Sequence, residues 1–302
     1  MDDAEPSILD TRRLHQFVIA VESGTLSAAA QRLFLTQQAL SASIRQLERD
    51  IGVSIFDRSR RKLHLTEAGD ALYSGAKSLL AGNAALIGAV REVARGAPKP
   101  FVVGHSPAIS GEEVYRLLTP AIAAHPDQPI TARQVFPGQL RELLFANEID
   151  VALRRGVDSP PNLASAVFAY HELRIAVVAD HPLATQNSVT AADLTDTPIV
   201  VWAPERRSFY TDFLVSYCRR KGFEPTLIVN PIQGTPPFTA VQRYPHACAF
   251  VTDPAGDIQG GAVKAIDFVD PPLAPVQAMW LPHTHSDVRS ALIAGGGDVA
   301  TS

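Results

Sequence analysis

Near the N-terminus, Leu14, Phe17, Val18 and Val21 recur on one face of a helical period, and Ser23-Gly24 ends the pattern. This predicts a helix stopped by glycine. Ser27 is the expected N-cap of a short helix over Ser27–Leu33, whose Ala28, Ala29 and Ala30 let another helix cross closely. After a turn at Phe34-Leu35, Thr36 is expected to cap a third helix, with Leu40, Ile44, Leu47 and Ile51 as its buried stripe. The opposite face displays Gln37, Gln38, Ser41, Ala42, Arg45 and Gln46, with no carboxylate before Glu48. Amide, hydroxyl and guanidinium groups together suit the base edges and phosphates of a major groove. Taken alone, that face is equally a solvated one. The stretch that follows, SIFDRSRRKLHLT, decides between them. Two β-prone runs flank Arg58, Ser59, Arg60, Arg61 and Lys62. A hairpin with a basic tip after a helix-turn-helix is a wing, suited to phosphates or the adjacent minor groove.

From Thr66 to Arg95 the chain is alanine-rich and free of proline, with an apolar stripe of Leu72, Ala76, Leu79, Leu80, Leu86, Ile87, Val90 and Val93. A helix of that extent is about 45 Å long. Gly75, Gly82 and Gly88 weaken it. Its stripe has to be buried, either on a second copy of itself or on the C-terminal domain. Gly96-Ala97-Pro98-Lys99-Pro100 reads as a linker. Beyond it β-like runs such as FVVGH, ITARQVF, IDVALRR, RIAVVA, PIVVW and ACAFVT alternate with helical ones. That alternation predicts an α/β unit with a mostly parallel sheet.

Charge supports a division of labour. The formal charge of the whole chain is −4, but residues 12–66 carry nine Lys/Arg against four Asp/Glu, and residues 98–302 carry fifteen against twenty. A basic segment joined to an acidic remainder fits a nucleic-acid module coupled to a different one. MDDAEPSILD contains no apolar h-region, which argues against a secretory signal, and no apolar run is long enough for a bilayer. Cys218 and Cys248 are the only cysteines, a usage that suggests a reducing cytoplasm and thiols that pack. His283-x-His285 has nothing nearby to complete a metal site, so no metal and no cofactor is expected.

Gly104-His105-Ser106-Pro107-Ala108 comes close to G-x-S-x-G, the strand-to-helix elbow of serine hydrolases. A serine hydrolase fused to a DNA-binding segment is therefore one alternative, and an architectural DNA-binding protein without an effector is another. In the hydrolase elbow the residue after the serine gives its backbone N–H to the oxyanion, and Pro107 has none. The second motif glycine is Ala108, and no strands precede the motif to build a hydrolase sheet. The expectation is a protein that is not an enzyme, in which Ser106 caps a helix begun by Pro107.

The run from Thr25 to Gly69 resembles the winged helix-turn-helix of LysR-type transcriptional regulators. The residues that carry this are A-A-x-R-L, A-L-S, I-x-x-L-E, G-V-x-I-F-x-R and L-T-E-A-G. The resemblance implies that Ser27, Thr36, Gln37, Ser41 and Arg45 contact DNA, with Gln38 beside them and Arg58, Arg60, Arg61 and Lys62 on the wing. Family members often have Pro where this chain has Gln38, and a polar or basic residue where it has Ala42, so the operator cannot be carried over. The segments HELRIAVVADHPLA, PIVVW and CRRKGFEPTLIV resemble the effector-binding domain of the same family.

The implied architecture is multidomain: a winged helix over 1–65, a linker and dimerisation helix with hinge over 66–97, and an effector domain over 98–302. That domain has two α/β lobes like a periplasmic binding protein, lobe I being 98–170 and 268–302 and lobe II 171–267. Ligands bind at strand C-terminal ends between such lobes. His105, Ser106 and Pro107, then Phe136, Pro137 and Gly138, then Arg154 and Arg155, and finally Trp202, Ala203 and Pro204 are expected to line the cleft, with Thr235 reaching it from lobe II. Many relatives have Ser or Thr near Pro137, so one familiar hydrogen bond to a ligand carboxylate is in doubt. An arginine pair and a helix N-terminus fit an organic acid or other anion. The implied partners are double-stranded DNA, a small-molecule effector, further copies of the chain as a dimer through the linker helix and as a tetramer, and RNA polymerase. No membrane partner is implied, and the expected location is the cytoplasm.

Overall fold

The computed structural model describes residues 8–57, 63–95, 99–157, 161–232, 235 and 237–296. The chain divides into two compact units, one of residues 1–96 with the short segments 160–163 and 281–284, and one of residues 97–159, 164–280 and 285–302.

In the N-terminal unit α1 spans Thr11–Ser23, capped by the Asp10 carboxylate, which accepts from the Arg12 N–H at 2.8 Å, and ended by Gly24 in the left-handed region. Helix α2 is Leu26–Arg32, and its cap is Thr25, whose Oγ1 accepts from the Ala28 N–H at 3.2 Å. The expectation of Ser27 as cap is thereby corrected. Both residues have capping chemistry, but Thr25 is the one in extended backbone, which starts the helix before Ser27. Helix α3, Gln37–Ile51, is capped by Thr36 as expected and closed by Gly52. Leu40, Ile44 and Leu47 are buried with Leu14 and Phe17 of α1. Arg13 holds Asp50 at 2.8 Å and so ties α1 to the end of α3. Glu48 turns inward, where its Oε1 accepts the Ile55 N–H at 3.0 Å.

An antiparallel bridge between Phe56 and Leu65 closes the base of the hairpin. The wing cations Arg58, Arg60, Arg61 and Lys62 lie outside the described residues.

Helix α4, Glu67–Arg95, follows. A side chain on Gly69 would place its Cβ 2.1 Å from the Ile55 carbonyl oxygen, so the glycine is what lets α4 start against that turn. Gly69→Ala is expected to destabilise this unit by about 1–3 kcal/mol through overpacking. Thermal denaturation followed by circular dichroism would show it, and an unchanged midpoint would contradict the close approach. The apolar stripe of α4 splits. Ala76 is buried, and Leu72, Tyr73 and Leu80 pack against the helix-turn-helix core. Leu79, Leu86, Ile87 and Val90 are 43%, 64%, 45% and 62% exposed.

The second unit begins with β1 (Phe101–His105), α5 (Gly111–Ala124), β2 (Ile130–Gln134), α6 (Pro137–Phe145) and β3 (Val151–Arg155). Next come β4 (Ala164–Glu172), β5 (Arg174–Val178), β6 (Ser188–Val189), β7 (Ile199–Val201), α7 (Phe209–Arg220) and β8 (Leu227–Val229). The unit ends with α8 (Pro237–Val241), β9 (Ala249–Val251), β10 (Gly256–Ile258), β11 (Val263–Phe268), β12 (Leu273–Trp280) and α9 (Asp287–Gly295). One sheet has the order β2-β1-β3-β12-β4, and another has β10-β11-β5-β9.

The expected mostly parallel sheets are mixed. Strands β1, β2 and β3 are mutually parallel, but β12 is antiparallel to both β3 and β4. Strand β5 is antiparallel to β9 and β11, while β7 and β8 pair in parallel. The β4–β5 and β11–β12 connections carry the chain from one sheet to the other, and β12, on its return, runs against both of its neighbours while β4 keeps the direction of β1–β3.

Separate apolar cores lie on the two sheets. Val114, Leu117 and Leu118 of α5 meet Val288 and Leu292 of α9 over the first. Cys218 and Cys248 pack with Tyr217, Phe250 and Phe268 beside the second. Burial pushes the Cys218 thiol up to about 11 and raises that of Cys248 as well, so both stay protonated at neutral pH.

Candidate functional site

Each unit carries a candidate surface. On α3 the exposed residues include Gln37, Gln38, Ala42 and Arg45, with Ser41 half-buried beside them. Ser27 reaches across from α2 and its hydroxyl donates to Gln37 Oε1 at 3.0 Å, which orients that amide. Thr36 spends its hydroxyl oxygen on the Ala39 N–H at 3.1 Å. Among the described residues the side chains of Gln38, Ser41 and Arg45 hydrogen-bond to nothing, and they are available to a partner. Gln46 is not: its amide donates to Asp50 at 2.7 Å and accepts from Arg49.

In the second unit a cavity of about 230 Å³ opens where β1, β3 and β7 end and where α6 and α7 begin. The lining includes most residues that the sequence nominated: Ser106, Pro107, Phe136, Pro137, Gly138, Arg154, Arg155, Trp202 and Ala203. His105 and Pro204 do not line it, and Thr235 lines a neighbouring cavity instead. The His105 ring is buried, its Nδ1 lying 3.1 Å from the Ile109 carbonyl oxygen and 3.3 Å from that of Ser106. Burial lowers its pKa, against the opposing pull of those two carbonyls. Pro204 accepts the Arg207 N–H at 3.2 Å in an exposed turn.

The proposed cap at Ser106 is also corrected. Residues 106–109 form a turn, with the Ile109 N–H donating to the Ser106 carbonyl at 3.0 Å. Helix α5 starts four residues later than expected from Pro107, with a capping box in which Ser110 accepts from Glu113 N–H and Glu113 accepts from Ser110 N–H. The Ser106 side chain is thus left without a helix to cap. It is 3% exposed, and its Oγ has no hydrogen-bond partner among the described residues.

The arginine pair supplies the cavity's charge. Arg154 donates from Nε to Gln277 at 3.0 Å, and its guanidinium lies 4.4 Å from the centre of the Phe209 ring, a cation–π distance. Arg155 is 2% exposed; it donates from Nε to the Ala108 carbonyl at 2.9 Å and from Nη2 to Glu113. Its Nη1 has no partner among the described residues. Glu113 is fully buried, pairing with Arg155 and His171, and Thr252 Oγ1 is 3.4 Å from its Oε2.

Sequence reasoning missed the other wall, which comes from the start of α7. Ser208 caps this helix, Phe209 and Tyr210 face the cavity, and Thr211 donates to the Ala203 carbonyl at 3.0 Å. Burial pushes the Tyr210 hydroxyl up to about 12, with Arg155 opposing and Glu113 adding, so it is a donor at neutral pH. Helix α6 also faces the cavity with its N-terminus, where Phe136 occupies the cap position without a side-chain bond to the first N–H groups. Aromatic walls with a few convergent polar groups and two helix starts make a small-molecule site suited to an anion.

A helix-turn-helix with an unencumbered polar face, joined to an α/β unit with a ligand-sized cleft, defines a ligand-responsive transcriptional regulator. Residues 11–70 match the family described as "Bacterial regulatory helix-turn-helix protein, lysR family", and residues 94–293 match the "LysR substrate binding domain". The chain belongs to the LysR family of transcriptional regulators, with a DNA-binding domain and an effector-binding domain. It is 29% identical over 229 residues to the HTH-type transcriptional regulator AlsR of Bacillus subtilis (strain 168), covering 73% of each chain. It is 30% identical over 221 residues to the HTH-type transcriptional regulator BudR of Raoultella terrigena, covering 72% of this chain and 75% of BudR. The fold matches the crystal structure of CbnR, a LysR family transcriptional regulator, with a TM-score of 0.55 at 20% identity over 95% of this chain and 98% of CbnR. CbnR in complex with its target DNA matches with a TM-score of 0.52 at 20% identity, covering 95% of this chain and 98% of that one.

Proposed function

We propose that the effector is a small organic acid with an apolar, ring-bearing body, held in the cleft between Ser106 and the arginine pair. What carries this reading is the pair of buried polar atoms, Ser106 Oγ and Arg155 Nη1, which lack protein partners at the wall of one aromatic cavity. A buried donor left unmatched costs about 1–3 kcal/mol, and a ligand carboxylate would satisfy both. Arg154, lying against Phe209, adds a second cation. The lobe division 98–170 with 268–302 against 171–267 is proposed on the membership of the two sheets. The boundaries 1–65 and 66–97 are proposed on the start of α4 at Glu67 and on the Gly- and Pro-containing composition of 96–100.

Gln37, Gln38, Ser41 and Arg45 are proposed to meet base edges and phosphates, with Thr36 and Ser27 positioning the first turn of α3. CbnR, which shares this fold, binds its target DNA. Arg58, Arg60, Arg61 and Lys62 are assigned to the flanking phosphates from the sequence alone. The exposed Leu79, Leu86, Ile87 and Val90 of α4 support pairing of two copies through that helix. Paired recognition helices would read a pseudo-palindromic site. Tetramer formation, contact with RNA polymerase and a cytoplasmic location are proposed from the family resemblance. No helix among the described residues is long and apolar enough to cross a membrane.

The chain is proposed not to be an enzyme, and Ser106 to bind rather than attack. Among the described residues its Oγ has no hydrogen-bonded base, the neighbouring His105 ring is turned to the Ile109 and Ser106 carbonyls, and Pro107 has no N–H for an oxyanion. An activated ester giving a Ser106-dependent burst of product would refute this.

A thermal-shift screen of aromatic and aliphatic monocarboxylates, with benzoate as the first probe, tests the cleft. Acids that fit should raise the melting temperature of the wild type and not that of Arg154→Ala. Equal shifts for both proteins would remove Arg154 from the site.

A further inference from the structure

The cleft has a second chamber of opposite charge. A cavity of about 260 Å³ adjoins the first and shares Pro107, Ala108, Arg155, Tyr210 and Phe250 with it. The first chamber carries Arg154, Arg155 and Arg207 among its rings. The second carries Glu112 and Asp253, with Gln134 and Thr235 as neutral polar groups. Resting on the reading that this cleft takes an organic acid, we infer that its ligand is a zwitterion, an aromatic α-amino acid. Its carboxylate lies between Ser106 and Arg155, its ring enters the first chamber, and its ammonium enters the second beside Asp253.

Independent observations converge on this class. Ser106 Oγ and Arg155 Nη1 are buried and unpartnered, and Arg155 lines both chambers, so the anion-binding group stands at their seam. An α-amino acid carries its two charges on groups attached to one carbon, as a site with a cation and a carboxylate on opposite sides of one seam requires. Glu113 does not count toward the second chamber, because Arg155 and His171 already pair with it. Asp253 does. Among the described residues no side chain hydrogen-bonds or ion-pairs with its carboxylate, which burial raises above its ordinary value, with Glu112 and Glu113 adding and Arg116 opposing. A ligand ammonium would supply the missing counter-charge.

The N-terminus of α5 also borders this chamber, but the Ser110–Glu113 capping box and the Glu112 charge already answer its positive end. A dicarboxylate would place its second charge against Glu112 and Asp253. A simple amine would meet the three arginines without the carboxylate that offsets them.

Calorimetry on the full chain with L-phenylalanine, 3-phenylpropionate and 2-phenylethylamine separates these cases. L-Phenylalanine should bind at least tenfold more tightly than either analogue. Asp253→Asn should abolish its advantage over 3-phenylpropionate, read as the ratio of the two affinities. If 3-phenylpropionate binds as well as or better than the amino acid, the zwitterion inference falls and the organic-acid reading stands. If Asp253→Asn keeps the full preference, the assignment of the second chamber falls. If neither carboxylate binds, the inference falls, and the organic-acid reading then rests on whether benzoate and its relatives shift the melting temperature.

Discussion

Glu113→Ala is expected to destabilise the C-terminal unit by about 3–5 kcal/mol, because it strands the Arg155 guanidinium in the interior without its counter-charge. The loss has a pH signature. Burial is the largest influence on Glu113 and would raise its carboxyl, but Arg155 and His171 together more than reverse this and lower it from 4.5 to about 2. The difference corresponds to about 3 kcal/mol. A carboxylate depressed in the folded state stabilises above its unfolded value and loses that contribution as pH falls through its folded value. The window is therefore between pH 4.5 and about 2. Urea midpoints of wild type and Glu113→Ala should differ most near neutral pH and converge as pH falls through that window. A gap that stays constant down to pH 3 would contradict the pairing.

The second large effect concerns DNA. Arg45→Ala should weaken binding to a selected operator by about 1–3 kcal/mol, tenfold to hundredfold, while changing affinity for random duplex less. Arg45 is exposed on α3, and no protein group competes for it among the described residues. Arg60→Ala should instead lower affinity for every sequence and reduce the slope of log affinity against log salt by about 1. Fluorescence anisotropy over a salt series distinguishes the two patterns. Operator binding by both variants equal to wild type at moderate salt would remove the DNA face from α3 and the wing.

The helix-turn-helix was legible because its signals are local. Leu40, Ile44 and Leu47 follow one period, Thr36 stands in the cap position, and Gly24 and Gly52 end their helices. Where two local signals compete, the sequence alone does not decide. Thr25 and Ser27 can both cap α2, and only the backbone at Thr25 settles which does. Pro107 suggested an early start for α5, yet Ser110 and Glu113 form the stronger start signal, visible in the sequence as S-x-x-E.

Ser106, Arg154, Arg155 and Trp202 stand at strand ends, a placement legible in the sequence, and all four line the cavity. Phe209 and Tyr210, at the start of α7, show in the sequence only as part of a helix, since the tertiary fold decides which turn of α7 faces β3. The Glu113 network was out of reach for the same reason. Its partners lie 42 and 58 positions away, and no sequence period connects them.

A ligand in this cleft is expected to change how the chain engages DNA, which is allostery only if the ligand favours one DNA-binding state over another. The most direct measurement is operator affinity and footprint, with and without a saturating acid taken from the thermal-shift screen, for wild type and Arg154→Ala. Wild type should show a change of about fivefold or more in affinity, or a shifted footprint. Arg154→Ala should bind operator normally and ignore the acid. An acid that raises the melting temperature of the wild type yet leaves affinity and footprint unchanged would contradict the account.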